Sequence, residues 1–201
     1  MTPGAVLLLQ LAAAGAGPRQ TGAVEGTLRA ADLRAAGAVV YLVPAAGLVP
    51  AASDTVVLDQ RELRFEPRVL AVQSGTTVEF LNSDPILHNV FSPHSRDEGF
   101  DLGTYPHGDS RPHTFTDLGA YVILCNVHPE MVAYIVVVPT PYHVVVDDES
   151  RFRLAALPPG RYTLAVWHYR AAPLERTVEI AAGTVLHVDL DLARASRARR
   201  Q

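Results

Sequence analysis

Seven residues, Cys125-Asn126-Val127-His128-Pro129-Glu130-Met131, bring together a thiol, an imidazole and a thioether. A second imidazole, His88, stands upstream in Asn82-Ser83-Asp84-Pro85-Ile86-Leu87-His88-Asn89-Val90. Cysteine binds metal as thiolate, and a nearby cation lowers its pKa well below the free value of about 8.5. Two imidazoles, one thiolate and a weak axial thioether are the donor set of a copper electron-transfer centre. Soft sulfur favours Cu(I) and imidazole suits both copper states, so one such set holds either oxidation level with little rearrangement. Taken singly, Cys125 reads as a buried core thiol, His128 as a loop residue and Met131 as a gap filler. Their co-occurrence at this spacing points instead to a metal.

Bringing four donors to one point makes demands on the elements around them. A strand ending at Cys125 would point that side chain to one end of a sandwich, and the next loop would swing His128 and Met131 round the same ion. Pro129 limits helix formation there, which favours a tight loop. His88 must arrive through the fold, on a neighbouring strand or at its end. Asn89, beside it, is placed to offer a backbone N–H to the sulfur, and outer hydrogen bonds of this kind tune a metal's potential.

The rest of the chain is rich in short β-like runs: Val39–Val43, Val69–Val72, Thr76–Leu81, His88–Ser92, Tyr121–Leu124, Ala133–Val138, His143–Val146, Tyr162–His168, Thr177–Ile180 and Val185–Leu190. Glycine, proline and aspartate punctuate them. Alternation in Thr77-Val78-Glu79-Phe80 and in Thr163-Leu164-Ala165-Val166-Trp167 predicts sheets with one buried face. Only Ala30–Ala36 reads as a helical turn or two. The stretch from Pro93 to Pro112 is long and polar and reads as a solvated loop, with a second metal site at His94, His107 and His113 as the lesser reading. Trp167 and His168 read as core packing, and His143 and His187 stay unassigned.

With 201 residues, nearly half of them apolar, the chain has material for a sizeable core. A net charge of −4 argues against nucleic acid as a partner. All basic residues are arginine, and the single cysteine excludes an internal disulfide. Residues 1–16 resemble a secretory signal ending in Ala14-Gly15-Ala16, although no positive charge precedes the apolar run. The expectation is therefore a periplasmic or secreted, soluble protein without stable membrane insertion. Pro139-Thr140-Pro141 reads as a rigid linker, and residues 193–201 as a disordered basic tail.

The segments Pro85-Ile86-Leu87-His88-Asn89-Val90 and Gly119-Ala120-Tyr121-Val122-Ile123-Leu124-Cys125, with the Cys125–Met131 loop, resemble the cupredoxins, the plastocyanin and amicyanin family. The Cys-x-x-His-x-x-Met spacing is similar to the short amicyanin loop, and the resemblance covers roughly Leu58 to Val138. It implies a Greek-key β-sandwich in which His88, Cys125 and His128 are strong equatorial ligands of one copper per chain and Met131 is the axial one. It also implies one-electron shuttling between redox partner proteins through an apolar surface, here Pro85, Val127, Pro129 and Val132. Residues 142–192 resemble a carboxypeptidase regulatory-like, transthyretin-type sandwich, and 22–50 resemble its opening strands. The expected architecture is thus all-β, with a cupredoxin domain at 56–138 inserted into a second small sandwich completed by N-terminal strands.

An exported mononuclear type 1 (blue) copper electron carrier, acting as a monomer, is the leading reading. A non-redox copper-binding, storage or structural module is the alternative. Enzymes with additional copper commonly hold it through His-x-His pairs, and none occurs in this sequence, so an enzyme is not expected.

Overall fold

The structure is a computed structural model that describes residues 20–30, 34–46, 49–93, 99–193 and 195. The 1–16 segment, His94 and all of 193–201 except Ala193 and Ala195 lie outside the described residues. Two strands come first, β1 (Gly22–Ala30) and β2 (Val39–Pro44). Nine follow before Pro139: β3 (Thr55–Arg61), β4 (Arg64–Glu66), β5 (Val69–Gln73), β6 (Thr76–Asn82), β7 (His88–Ser92), β8 (Phe100–Tyr105), β9 (Ser110–Phe115), β10 (Gly119–Leu124) and β11 (Val132–Val138). Six more close the chain: β12 (His143–Val145), β13 (Arg151–Leu157), β14 (Gly160–Trp167), β15 (Leu174–Ile180), β16 (Val185–His187) and β17 (Leu190–Leu192). The described residues contain no helix, and Ala35–Ala38 form a turn, closed by the Ala38 amide on the Ala35 carbonyl at 3.0 Å, where the end of a helical segment was expected.

The strands β3 to β11 make a Greek-key sandwich of two sheets, β4-β3-β6-β9 and β5-β11-β10-β7-β8. The pairs β3/β6 and β5/β11 are parallel, so the chain must cross between sheets to close them. Strict alternation in β6 turns Thr76, Val78, Phe80 and Asn82 inward. The apolar members meet Leu58, Tyr105, Phe115, Ile123, Ile135, Cys125 and Met131 in one core. β8 and the first half of β9 fall in the Pro93–Pro112 stretch expected to be a solvated loop. β8 and β9 each bury their last residue, Tyr105 and Phe115, while their other positions are half-buried or exposed. Edge strands facing water on one side carry too few apolar residues to announce themselves.

The second sandwich is built from both ends of the described chain. β1 pairs with β13, β16 and β17, and β2 pairs with β12 and β14, so the N-terminal strands complete its two sheets. Its core includes Leu28, Leu42, Leu157, Tyr162, Leu164 and Ile180. The run expected as one strand from Val185 to Leu190 is two, both parallel to β1. Between them the backbone presses on Gly26, where a Cβ would lie 1.7 Å from the Val188 carbonyl oxygen, so only glycine fits.

The sandwiches share a third apolar cluster. β11 turns Ala133, Ile135 and Val137 into the central core, while Val136 and Val138 on its other face pack with Val39 and Val69. Trp167 joins this cluster beside Tyr134, with ring centroids 5.6 Å apart. It therefore seals the contact between sandwiches rather than anchoring the core of the smaller one. Thr140 of the Pro139–Pro141 connection is fully buried, and its hydroxyl accepts from the Tyr142 amide.

Candidate metal centre

Asn82, buried at the end of β6, organises the loop that delivers His88. Its side-chain amide donates to the carbonyls of Ile86 and Tyr105, and its Oδ1 accepts from the Asp84 amide. The loop thus runs a fixed course into β7, whose first residue is His88. Asp84 in turn accepts the His88 Nε2 proton at 2.8 Å, which leaves the Nδ1 lone pair free. Burial works to raise the Asp84 pKa, but the Leu63 amide, the His88 ring and the Glu62 amide hold it below its ordinary value.

Cys125 follows directly on β10, and the chain then turns back through a Met131 N–H to His128 carbonyl bond of 3.0 Å into β11. The result brings three donors together. His88 Nδ1 lies 3.9 Å from Cys125 Sγ, His128 Nδ1 lies 4.0 Å from it, and the two nitrogens are 3.1 Å apart. Consider a point about 2.05 Å from each nitrogen and about 2.3 Å from the sulfur, ordinary bond lengths from such donors to a divalent metal. The angles it subtends are about 98°, 127° and 134°, which sum to about 360° and place it in the plane of the donors, a trigonal His₂Cys arrangement. The side chains as they stand therefore fit one such ion.

His88 and Cys125 are 0% and 3% exposed, and Met131, 1% exposed, is buried in the same core cluster as Cys125. His128 is half-buried, between exposed Val127 and Pro129. Pro85, Ile86 and Leu87 are exposed as well, which makes this end of the molecule more apolar than the Pro85, Val127, Pro129 and Val132 set expected. Val132 is half-buried. The Asn89 amide points at Cys125 Sγ over 3.5 Å, the contact expected from its position. Its side chain donates to Asp101 and accepts from the Asn126 amide, tying the two ligand loops together.

Among the described residues, His88, Cys125 and His128 are the cluster of metal-ligating side chains that converges. His107 leans its Nδ1 on the Asp84 carbonyl at 3.2 Å. His113 stacks on Phe100 at 4.0 Å, and burial lowers its pKa. Neither joins a second metal cluster, and His94 is outside the described residues. His168 is buried and accepts from the Arg170 amide, while His187 leans on Glu25 at 3.2 Å. The role of Asp84 was missed in the sequence, because a four-residue separation defines a shared face only in a helix and Pro85 excludes one there.

Residues 52–138 match the family model described as copper binding proteins, plastocyanin/azurin family. Among solved structures, a Cu-containing nitrite reductase (NirK) from Thermus scotoductus SA-01 is 31% identical over 47% of this chain, with a TM-score of 0.40. The chain spans 25% of that reductase's length. The Cu(I) form of an M51A amicyanin mutant is 24% identical over 49% of this chain and 99% of its own, with a TM-score of 0.41. A purple cupredoxin from Nitrosopumilus maritimus is 24% identical over 42% of this chain and 99% of its own, with a TM-score of 0.36. The family match over 52–138 supports a cupredoxin domain in the central sandwich. Its family match, its donor chemistry and the convergence of its three donors assign copper as its cofactor.

Proposed function

We propose that this chain is an exported type 1 copper protein that carries single electrons between redox partner proteins, one copper per chain. The observation that carries this reading is the convergence of His88 Nδ1, His128 Nδ1 and Cys125 Sγ, separated by 3.1, 3.9 and 4.0 Å. These three would hold the ion, and the buried Met131 thioether would be a further, weaker donor. Bound copper supplies a one-electron couple between Cu(II) and Cu(I).

The chain's own residues keep that couple fast by holding still. Asp84 fixes the His88 ring, the Asn89 amide holds the sulfur, and Asn89 clamps Asn126 across the two loops. Donors locked in this way need little rearrangement when the ion's charge changes. The exposed apolar residues around His128 give a redox partner a surface that desolvates readily. The flanking segments 22–50 and 142–192 act in this reading as one regulatory-like sandwich around the 56–138 domain. No helix of the described residues is long and apolar enough to cross a membrane, and residues 1–16 would direct export.

The test is spectroscopic. Loaded with Cu(II), the full chain should show an intense thiolate-to-copper charge-transfer band, and Cys125→Ala should abolish it. A metal-loaded protein without the band, or a band that survives Cys125→Ala, overturns the assignment.

A further inference from the structure

The hairpin between β3 and β4 is an anomaly. Its two-residue tip, Glu62-Leu63, adopts left-handed backbone angles at both positions, with φ of 53° and 59°. Tips of this kind favour Asn-Gly, because a Cβ is strained there. Nothing in a glutamate–leucine pair prefers this geometry, so something outside the hairpin must hold it. The Glu62 amide donates to Asp84 Oδ1 at 2.6 Å and the Leu63 amide to Asp84 Oδ2 at 2.9 Å. That same Oδ2 accepts from His88 Nε2 at 2.8 Å. An unbroken hydrogen-bonded path therefore runs from an exposed hairpin tip, across a buried carboxylate, to a donor of the metal cluster.

We propose that the Glu62-Leu63 tip is a positioning element for the copper, which sets the orientation and donor strength of His88 through Asp84. This rests on the copper reading above. Two amides clamp one carboxylate in place, so its grip on Nε2–H orients the His88 ring with Nδ1 towards Cys125 and His128. The strain at the tip is then the cost of a fixed ligand. Leu63 is exposed on the same hairpin, so a partner that presses on it would act on the metal without touching a ligand loop.

The experiment uses the full chain. A Gly-Gly insertion between Glu62 and Leu63 opens the tip and withdraws its amides from Asp84. Cu(II) affinity is expected to fall roughly tenfold or more, the range for loss of an outer partner of a ligating histidine, and the reduction potential to move with it. Glu62→Asn/Leu63→Gly keeps both amides in a turn those residues favour, and should retain tight binding. In wild-type protein, Cu(I) loading should shift the Glu62 and Leu63 amide resonances, and Asp84→Asn should remove that response; this readout does not depend on the insertion folding. A wild-type charge-transfer band with amides indifferent to Cu(I), or an insertion variant with wild-type affinity and potential, overturns the tip's role alone. Absence of the band from wild-type protein overturns the copper reading, and the tip's role with it.

Discussion

Met131 and Cys125 share one apolar core, yet their sulfurs make different demands on an ion. A thiolate is charged and binds strongly; a thioether is neutral and binds weakly. As a proposed weak donor, Met131 would favour Cu(II) over Cu(I), because the more highly charged ion gains more from an additional electron pair. Met131→Leu conserves volume in the core, where such swaps cost under about 1.5 kcal/mol. The variant should keep its charge-transfer band and show a more positive reduction potential by voltammetry. Loss of copper would contradict a weak donor, and an unchanged potential would remove Met131 from the donor set. At this scale residue types and spacing in the sequence marked the donors, since softness and charge belong to the side chain itself. What holds the donors did not show. Asp84 holds His88 through contacts with a distant segment, accepting from the Glu62 and Leu63 amides as well as from the His88 ring.

The strands divide in the same way. β7 starts and ends at its expected residues, and β6 and β11 lie within one residue of theirs, because a half-buried strand writes period-two alternation or a solid apolar run into the sequence. β8 and β9 have neither signal, and their pairing with β7 and β6 decides their structure. β9 nevertheless carries a titratable group whose effect can be measured. The His113 ring is sandwiched between Phe100 at 4.0 Å and Phe115 at 4.8 Å, and burial holds its pKa below the ordinary value of 6.5. The fold therefore favours the neutral ring. Between the lowered folded value and 6.5 the unfolded chain binds more protons, so this stability is full above the unfolded pKa and is lost as pH falls through the folded one. His113→Phe keeps an aromatic ring in the stack but cannot titrate. Its urea midpoint should fall less than wild type's between about pH 7.5 and about pH 5. Equal falls in the two proteins would show that His113 is free to protonate in the fold.

At the scale of the molecule, the informative surface is the one neither sandwich can leave bare. β11 is apolar on both faces, a pattern that the sequence marked only as one more β-like run. It could not say that its two faces serve different cores. Trp167 was equally ambiguous, because a tryptophan on a strand seals a contact between sandwiches with the same chemistry that fills a core. The Val39, Val69, Val136 and Val138 cluster, flanked by Tyr134 and Trp167, makes the outer face of the metal-bearing sheet a folding surface. Met131 immediately precedes β11, so whatever steadies β11 steadies one end of the ligand loop. A charge at Val136, 3% exposed, would have no partner in that apolar contact and would be strongly disfavoured until the sandwiches part. Coupled by this surface, the two sandwiches should melt in one calorimetric transition in the wild-type protein. Val136→Asp should split that transition in two, with the copper-dependent part following the central sandwich alone. A single transition retained in Val136→Asp at wild-type temperature would mean that the shared cluster contributes nothing to cooperativity.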